Sequence, residues 1–309
     1  MSNPDLKEYT YRMKSLLQEE GFQAAGIARA EELAHTRDHF LQWLEKGYHG
    51  TMKYMENHVE KRLDPRELVP GALSVVTILD FYPSPVYDDS YKIAAYAKGK
   101  DYHTAIRERL HRVAKRFGND DKSFRYRVFT DSAPVMDKVW AVKAGLGWTG
   151  KNTCLINNKF GSFCFIGHII CNREFEYDEP SIKNYCGTCT RCMDACPTEA
   201  IIAPGILDAR KCISYLTIEN RSLSSQELKG KTGRWIFGCD ICQEVCPWNS
   251  KSSPLLHKEY LPTDEIVSVK ISQWENLTEE DFEKIFRGTA VHRTGFDILK
   301  RNIEAADLL

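Results

Sequence analysis

The sequence predicts an α+β fold for residues 1–175, followed by a separate cysteine-rich module, and two observations support this. Amphipathic helices and short apolar strands follow one another in the first part without the strict rhythm of a βαβ protein. Eight cysteines are then concentrated between residues 186 and 246. Because 309 residues exceed the size at which one core usually stops growing, we expect three parts: 1–175, 176–255 and a short helical segment, 256–309.

Apolar spacing predicts the elements of the N-terminal part. Helices are expected at residues 4–20, 31–46 and 106–117, and strands at residues 22–28, 73–82 and 125–130. Residues 61–70 are polar, contain two prolines and predict a loop. Asp131 or Ser132 is expected to cap a further helix with Pro134 in its first turn. Residues 153–157 and 162–171 are expected to form a hairpin.

Two cysteine runs carry the strongest chemical signal. The first is Cys186-Gly-Thr-Cys189-Thr-Arg-Cys192-Met-Asp-Ala-Cys196-Pro197, the second is Cys239-Asp-Ile-Cys242-Gln-Glu-Val-Cys246-Pro247, and Cys212 lies between them. In two-cluster ferredoxins the fourth cysteine of such a run binds the other cluster. We therefore expect a bacterial-ferredoxin-like module with two 4Fe–4S clusters. One would be bound by Cys186, Cys189, Cys192 and Cys246, and the other by Cys196, Cys212, Cys239 and Cys242.

Other roles for these cysteines fit less well. Zinc ribbons also use C-x2-C pairs, but two zinc sites would rarely show this crossed pattern. A disulfide framework is typical of short secreted chains, and this chain is long. Cys154, Cys164 and Cys171 stand in apolar strand contexts and are expected to be buried structural thiols.

Bulk composition is that of a globular protein, with 42% hydrophobic and 28% charged residues. No apolar run approaches the roughly 20 residues of a membrane span, and the first residues lack a signal-peptide pattern. We therefore expect a cytoplasmic monomer without membrane contact.

The net charge is −1, but residues 91–127 hold 11 Lys and Arg against 4 Asp and Glu. That stretch is either a solvated helix face or a phosphate-contacting patch.

Two clusters imply one-electron transfer, so the N-terminal part should hold the group that uses the electrons. No dinucleotide-binding or P-loop motif stands in a suitable strand–helix context, and no cobalamin-binding Asp-x-His-x-x-Gly motif is complete. From the residues alone, the electron acceptor stays unidentified.

Several long motifs resemble the epoxyqueuosine reductase family. They are the stretches from Ala94 to His103, from Phe129 to Asp137, from Ala144 to Asn152 and from Arg287 to Asn302, together with both cysteine runs. The resemblance implies a nitroreductase-like, cobalamin-binding N-terminal domain that receives electrons from the two clusters. It also implies reduction of epoxyqueuosine to queuosine at the wobble position (34) of tRNA. Many family members continue into a helical-repeat domain, so residues 256–309 are expected to be the start of such a domain.

The resemblance also implies a mechanism. Co(I) cobalamin attacks an epoxide carbon, and Asp131 is the family's proton donor. A cap position would lower the pKa of Asp131, whereas a proton donor at neutral pH needs a raised one, which packing against the corrin could supply. Further corrin contacts are expected from residues in or beside the matched loops: Tyr54, Tyr96, Lys151, Asn152, Leu155 and Ile166. We expect base-off cobalamin without a histidine ligand.

The expected partners are a tRNA carrying epoxyqueuosine in its anticodon loop and an external electron donor of the flavodoxin or ferredoxin type. The basic stretch 91–127 and the basic residues of 284–301 are candidates for phosphate contacts, and Tyr102 and Trp148 for stacking on the base. Alternative functions are a reductive dehalogenase with the same cofactors, a pure electron-transfer protein, and a cobalamin-handling chaperone.

Overall fold

The structure is a computed structural model that describes residues 4–85, 87, 90–119, 121–250 and 257–306. Its strands are β1 (Ala24–Arg29), β2 (Ser74–Phe81), β3 (Lys92–Ile93), β4 (Tyr126–Phe129), β5 (Trp148–Thr149), β6 (Leu155–Ile156), β7 (Cys164–Cys171), β8 (Ile201–Ala203), β9 (Ile206–Leu207) and β10 (Trp235–Phe237). Its helices are α1 (Pro4–Glu19), α2 (Ala34–Glu45), α3 (Val59–Leu63), α4 (Pro65–Leu68), α5 (Tyr102–Phe117), α6 (Asp137–Lys143), α7 (Arg191–Asp194), α8 (Ile213–Ile218), α9 (Ser225–Leu228), α10 (Ile241–Glu244), α11 (Asp264–Val267), α12 (Ile271–Glu275), α13 (Glu279–Phe286) and α14 (Phe296–Ala305). The fold therefore mixes helices and strands, as predicted. The expected boundary at residues 255 and 256 lies outside the described residues.

The N-terminal part is built on an antiparallel sheet in the order β1-β2-β7-β4. All eight residues of β2 are buried, which explains the apolar sequence of this strand. Successive side chains of a strand point to opposite faces of the sheet. Val76 and Ile78 pack with α1 and α5 on one face, whereas Val75 and Leu79 pack with α2 and α6 on the other.

Three local predictions were wrong, for different reasons. Residues 61–70 were expected to be a loop, but they include most of α3 and all of α4, whose start is capped by the Asp64 carboxylate accepting from the Arg66 amide. Proline at the first position of a helix is a start signal, and Pro65 occupies that position. The two expected hairpin strands are not paired with each other beyond a single bridge between Asn157 and Gly161, because β6 pairs with β5 while β7 pairs with β2 and β4.

The helix predicted to begin at Asp131 or Ser132 begins instead at Asp137. Asp131 adopts a left-handed backbone with φ 57°, and the Ala133 amide then donates to the Asp131 carbonyl at 2.9 Å. A residue that precedes proline is disfavoured in the helical region, which holds Ala133 out of the helix. Asp131 is therefore a loop residue and not a helix cap.

The cysteine-rich module is attached to the N-terminal part by a parallel pairing of β10 with β3. Each cysteine run contains a one-turn helix, α7 in the first run and α10 in the second. Phe286 of the C-terminal part packs in one cluster with Ile93 of the N-terminal part and Phe237 of the cysteine-rich module. The three expected parts thus share buried apolar surface.

A buried ion pair joins α5 to the centre of the sheet. Arg109 donates from Nη1 to Asp80 at 2.5 Å, and Asp80 is fully buried on β2. The Tyr260 hydroxyl donates to the same carboxylate at 2.6 Å, and Arg109 also donates to the Glu20 carbonyl. Burial raises the pKa of Asp80, while Arg109, Tyr260 and His257 oppose that rise.

We predict that Arg109→Met lowers the free energy of unfolding by about 3–5 kcal/mol, because it leaves a buried carboxylate without its cation. Chemical denaturation of both proteins measures the difference. The control is Arg116→Met on the same helix, since Arg116 pairs with Glu19 at the exposed surface and should contribute under about 1 kcal/mol. Equal losses in the two variants would contradict the assignment.

Candidate functional site

Two cavities meet at Asp131. Their volumes are about 490 Å³ and 760 Å³, and Asp131, Glu219 and Arg293 line both of them. The Asp131 side chain is 62% exposed, so it is open to whatever occupies this space. The smaller cavity is also lined by Cys212, one of the predicted cluster ligands.

The first turn of α5 supplies the partners of Asp131. Asp101 caps this helix by accepting from the His103 amide at 3.0 Å. The Tyr102 ring stacks on Phe165 with centroids 4.2 Å apart and on the His103 ring at 4.0 Å. These contacts hold the Tyr102 hydroxyl and the His103 imidazole in fixed positions.

The Asp131 carboxylate accepts two hydrogen bonds from these groups. Tyr102 donates from its hydroxyl to Oδ2 at 2.9 Å, and His103 Nε2 lies 3.0 Å from the same oxygen. His103 Nδ1 lies 2.6 Å from the Asp101 carboxylate, so the imidazole bridges two carboxylates. The left-handed backbone of Asp131 is uncommon outside glycine, and such backbone strain often occurs at functional sites.

These contacts shift the pKa values of Asp131 and His103 in opposite directions. The Asp131 side chain is open to the cavities, but neighbouring groups enclose its carboxylate, and this partial desolvation favours the neutral carboxyl. The hydrogen bonds from His103 and Tyr102 and the charges of His103 and Arg293 outweigh it, so the pKa of Asp131 is lowered. Burial likewise opposes the imidazolium of His103, but Asp101 and Asp131 outweigh it and raise its pKa. Both shifts favour the charged pair of an Asp131 carboxylate and a His103 imidazolium.

The structure brings the four predicted ligands of the first cluster together. Cys186, Cys189, Cys192 and Cys246 line one small cavity of about 60 Å³, although Cys246 belongs to the second run. Burial raises the pKa of the Cys192 and Cys246 thiols, and the neighbouring thiols raise them further. Bound iron supplies the positive charge that such buried thiols need to ionise, so the residues fit a cluster.

The four remaining predicted ligands also lie near one another. Burial raises the pKa of the Cys239 thiol, and the nearby thiols of Cys212 and Cys196 add to the effect. Cys242 is a neighbour of Cys239 and Cys212, and a hydrogen bond with Cys154 raises its pKa. Cys154 was predicted to be a buried structural thiol, and here it contacts this second cysteine group.

The predicted corrin-contacting residues fall into three places. Tyr54 lines the larger cavity at Asp131, and Tyr96 lines the smaller one. Lys151 and Asn152 lie at the cysteine groups, where Lys151 donates to the Cys189 carbonyl at 2.8 Å and Asn152 to the Cys242 carbonyl at 3.3 Å. Leu155 and Ile166 pack in the core between the sheet and α6.

Three further residues line the site and were not predicted from the sequence: His103, Arg293 and Glu219. His103 stands in a matched motif, but its partners are Asp131 and Arg293, which are distant in sequence.

Tyr102, a candidate for stacking on a base, does line the smaller cavity. Trp148, the other candidate, is 3% exposed and packs against Trp248 and Tyr185, so its ring is not available to a base.

Comparisons with known proteins agree on one family. A family model described as "Epoxyqueuosine reductase QueG, DUF1730" matches residues 62–132, and a "4Fe-4S double cluster binding domain" matches residues 185–249. An epoxyqueuosine reductase of Leadbetterella byssophila is 49% identical over 96% of this chain and 98% of its own length. The Escherichia coli enzyme is 36% identical over 99% of this chain and 83% of its own.

Solved structures of epoxyqueuosine reductases are also similar to this chain. One contains a tRNA-Tyr epoxyqueuosine-modified tRNA stem loop and is 29% identical, with a TM-score of 0.85 over 96% of this chain and 80% of that one. Another, from Bacillus subtilis, is described with an aspartate catalytic loop swung out of the active site; it is 30% identical, with a TM-score of 0.85 over 95% and 80%. No helix among the described residues is both long and apolar enough to cross a membrane.

We predict that Cys246→Ser damages the cluster of Cys186, Cys189 and Cys192, because these four thiols line one cavity. The iron content of the purified protein should fall from about eight atoms towards about four. The control is Cys164→Ser, which changes a thiol on β7 outside both cysteine groups and should retain all the iron. Loss of the other cluster instead would contradict the crossed arrangement.

Proposed function

The chain belongs to the epoxyqueuosine reductase family, and we propose that it reduces the epoxide of epoxyqueuosine at the wobble position of tRNA to the alkene of queuosine. One observation in this structure supports the proposal most directly. A carboxylate held by a histidine and a tyrosine faces cavities whose wall includes a cysteine of the second cluster group. The proposed proton donor and a predicted cluster ligand, Asp131 and Cys212, thus line the same cavity.

The relatives support the choice of substrate. A similar solved protein contains an epoxyqueuosine-modified stem loop, and an aspartate catalytic loop is described in another. Asp131 stands on the corresponding kind of loop here, between β4 and α6. A pure electron-transfer protein would have no use for this carboxylate, its paired imidazole and the open cavities beside them.

Cobalamin is the cofactor we propose for these cavities. Their combined space suits a large planar ligand, and their walls present aromatic and apolar side chains, including Tyr96, Phe237 and Ile218. Tyr54 and Tyr96 are the contacts that we expect on this ligand. Cobalamin held there would supply a strongly reducing, nucleophilic cobalt centre.

The chain's own residues move the protons. We propose that His103 holds the proton at Nε2 and passes it to Asp131 Oδ2, which delivers it to the epoxide oxygen as the C–O bond opens. Arginine carries no acceptor, so Arg293 can donate to His103 Nε2, 2.7 Å away, only after that proton has left. Both protonation states of the imidazole therefore keep a hydrogen-bonding partner.

The overall reaction consumes two electrons and two protons, and it releases water with the alkene. The clusters supply the electrons one at a time, from an external donor protein of the flavodoxin or ferredoxin type. Glu219 is a second proton carrier, since it lines both cavities and burial and nearby Asp131 raise its pKa. Of the three proposed parts, 1–175 supplies Asp131 and His103, 176–255 supplies the cysteine groups and Glu219, and 256–309 supplies Arg293.

We predict that Asp131→Asn abolishes turnover of an epoxyqueuosine stem loop, because an amide cannot accept and release the proton. Both clusters and cobalamin should still bind, which iron analysis and the visible spectrum measure. Asp38→Asn, an exposed change on α2, should leave turnover unchanged. Full activity in Asp131→Asn would rule out the proton-donor role.

We predict that turnover by the wild-type protein declines as the pH rises through the raised pKa of His103, because the imidazolium is then lost. Below the ordinary histidine pKa of about 6.5 the imidazole of His103 stays charged. On the acidic side of the plot of turnover against pH, His103 therefore does not limit the rate. His103→Gln should reduce kcat by about 10²-fold or more and remove this alkaline decline. An unchanged pH profile in that variant would show that His103 is not in the relay.

A further inference from the structure

The two cysteine groups lie differently with respect to the space around Asp131. Cys212 of the second group lines the smaller cavity there, whereas none of the described residues that line either cavity belongs to the first group, Cys186, Cys189, Cys192 and Cys246. The chain between the cysteines of the first group is exposed at Thr188, Thr190 and Arg191. An electron from outside the protein can therefore enter at the first group and pass through the second to the cavity at Asp131.

Exposed apolar side chains lie beside the first group. Ile182 is 94% exposed and Tyr185 is 46% exposed. The Tyr185 ring packs on Trp248 with centroids 5.9 Å apart, and both residues line the cavity that brings the first group together. Trp148 packs on both rings and lies in one cluster with Cys246. Exposed apolar side chains with a charged rim are typical of protein interaction sites.

The rim of this apolar surface is cationic. Lys183 places its ammonium group 4.8 Å from the centroid of the Tyr185 ring. Lys151 donates to the Cys189 carbonyl and lines the cavity of the first group together with Arg191, and no acidic residue is among the described residues that line this cavity. Neither Lys183 nor Arg191 forms an ion pair with another described residue. Both charges are thus available to a partner.

Acidic side chains limit the cationic rim on one side. Asp194 and Glu244 line a neighbouring cavity together with Arg191. The Asp194 carboxylate accepts from the Thr190 hydroxyl at 2.7 Å. An acidic partner is therefore expected to lie over Lys183 and Arg191 and away from these two carboxylates, since like charges in an interface repel one another.

We propose that this surface is the docking face for a small acidic flavoprotein that delivers electrons one at a time. We call it the entry face, and it consists of Ile182, Lys183, Tyr185, Arg191 and Trp248. This inference rests on the proposed function, which needs an external electron donor. The exposed edge of a flavin is apolar and would lie against the aromatic rings, while acidic side chains around it would meet the cations.

The transfer at the entry face involves one electron and no bond. The anionic flavin hydroquinone of the partner loses one electron and becomes the neutral semiquinone. The iron–sulfur cluster of the first group gains that electron, and no proton moves. A second flavoprotein molecule supplies the second electron that the reduction of the epoxide consumes.

The experiment measures binding of an oxidised acidic flavodoxin to the cluster-loaded protein. Isothermal titration calorimetry gives the affinity at about 20 mM and about 200 mM sodium chloride, because salt screens exposed charges. The test variants are the double change Lys183→Glu with Arg191→Glu and the single change Ile182→Ser. The control is Lys7→Glu with Lys115→Glu, which makes the same change of charge at exposed positions on α1 and α5.

We expect the wild type to bind the flavodoxin more weakly at the higher salt concentration. The double change Lys183→Glu with Arg191→Glu should weaken binding about tenfold or more at low salt and remove the salt dependence. Ile182→Ser should weaken binding at both salt concentrations, because an apolar contact is not screened. The control should bind within about twofold of the wild type.

Reduction of the clusters provides a second measurement. In stopped-flow experiments, flavodoxin hydroquinone should reduce the clusters of the double variant more slowly than those of the wild type. Reduced methyl viologen is a small cation, so it should reduce the clusters of the double variant at least as fast as those of the wild type. Slower reduction by both reagents would mean that the double change damaged the clusters, and Ile182→Ser then decides, because this side chain is exposed.

Three outcomes overturn the entry face. The first is no binding of flavodoxin by the wild type, and the second is equal binding by the wild type and both test variants. The third is a loss of affinity in the test variants for an acidic ferredoxin but not for flavodoxin, which would contradict the choice of a flavoprotein. Turnover of an epoxyqueuosine stem loop by the wild type with reduced methyl viologen is measured in parallel. Absent turnover contradicts the proposed function, whereas normal turnover with unchanged flavodoxin binding overturns only the entry face.

Discussion

The buried ion pair between Asp80 and Arg109 fixes the helix on which the site depends. Arg109 lies on α5, and Asp80 lies on the central strand of the sheet. Two turns earlier on the same helix, Tyr102 and His103 meet the Asp131 carboxylate. A shift of α5 along the sheet would move both groups away from the loop that carries Asp131. The arginine therefore sets the position of the proton relay without touching it.

The same ion pair ties the C-terminal part to the N-terminal part. Tyr260 donates to the Asp80 carboxylate, and His257 lies 2.9 Å from the Arg109 guanidinium. Arg293, which comes later in the chain, then reaches His103. The relay is thus assembled from segments that are far apart in sequence, and its geometry requires that all of them are folded.

Much of the fold follows from local patterns, and the site largely does not. The helices containing Leu17 and Leu110 and the strand containing Val76 were predicted from apolar spacing, which reports local burial. The grouping of the cysteines was predicted from motif spacing, and the structure places the thiols of each group near one another. Their role as cluster ligands stays a prediction. The left-handed backbone of Asp131 was not predicted, because an Asp-Ser-x-Pro sequence is also a common helix start. The role of His103 was missed because its raised pKa arises from Asp131 and Asp101 together, and only folding brings these groups into contact.

The core shared by Ile93, Phe237 and Phe286 has a consequence for how the chain is made. Synthesis proceeds from the N-terminus, so Ile93 leaves the ribosome long before the residues that cover it. During that interval this apolar surface lacks the C-terminal residues that pack on it. The second cysteine run is also absent until late in synthesis. The second cysteine run and the helices that close the core, α12, α13 and α14, therefore both follow the N-terminal sheet in synthesis.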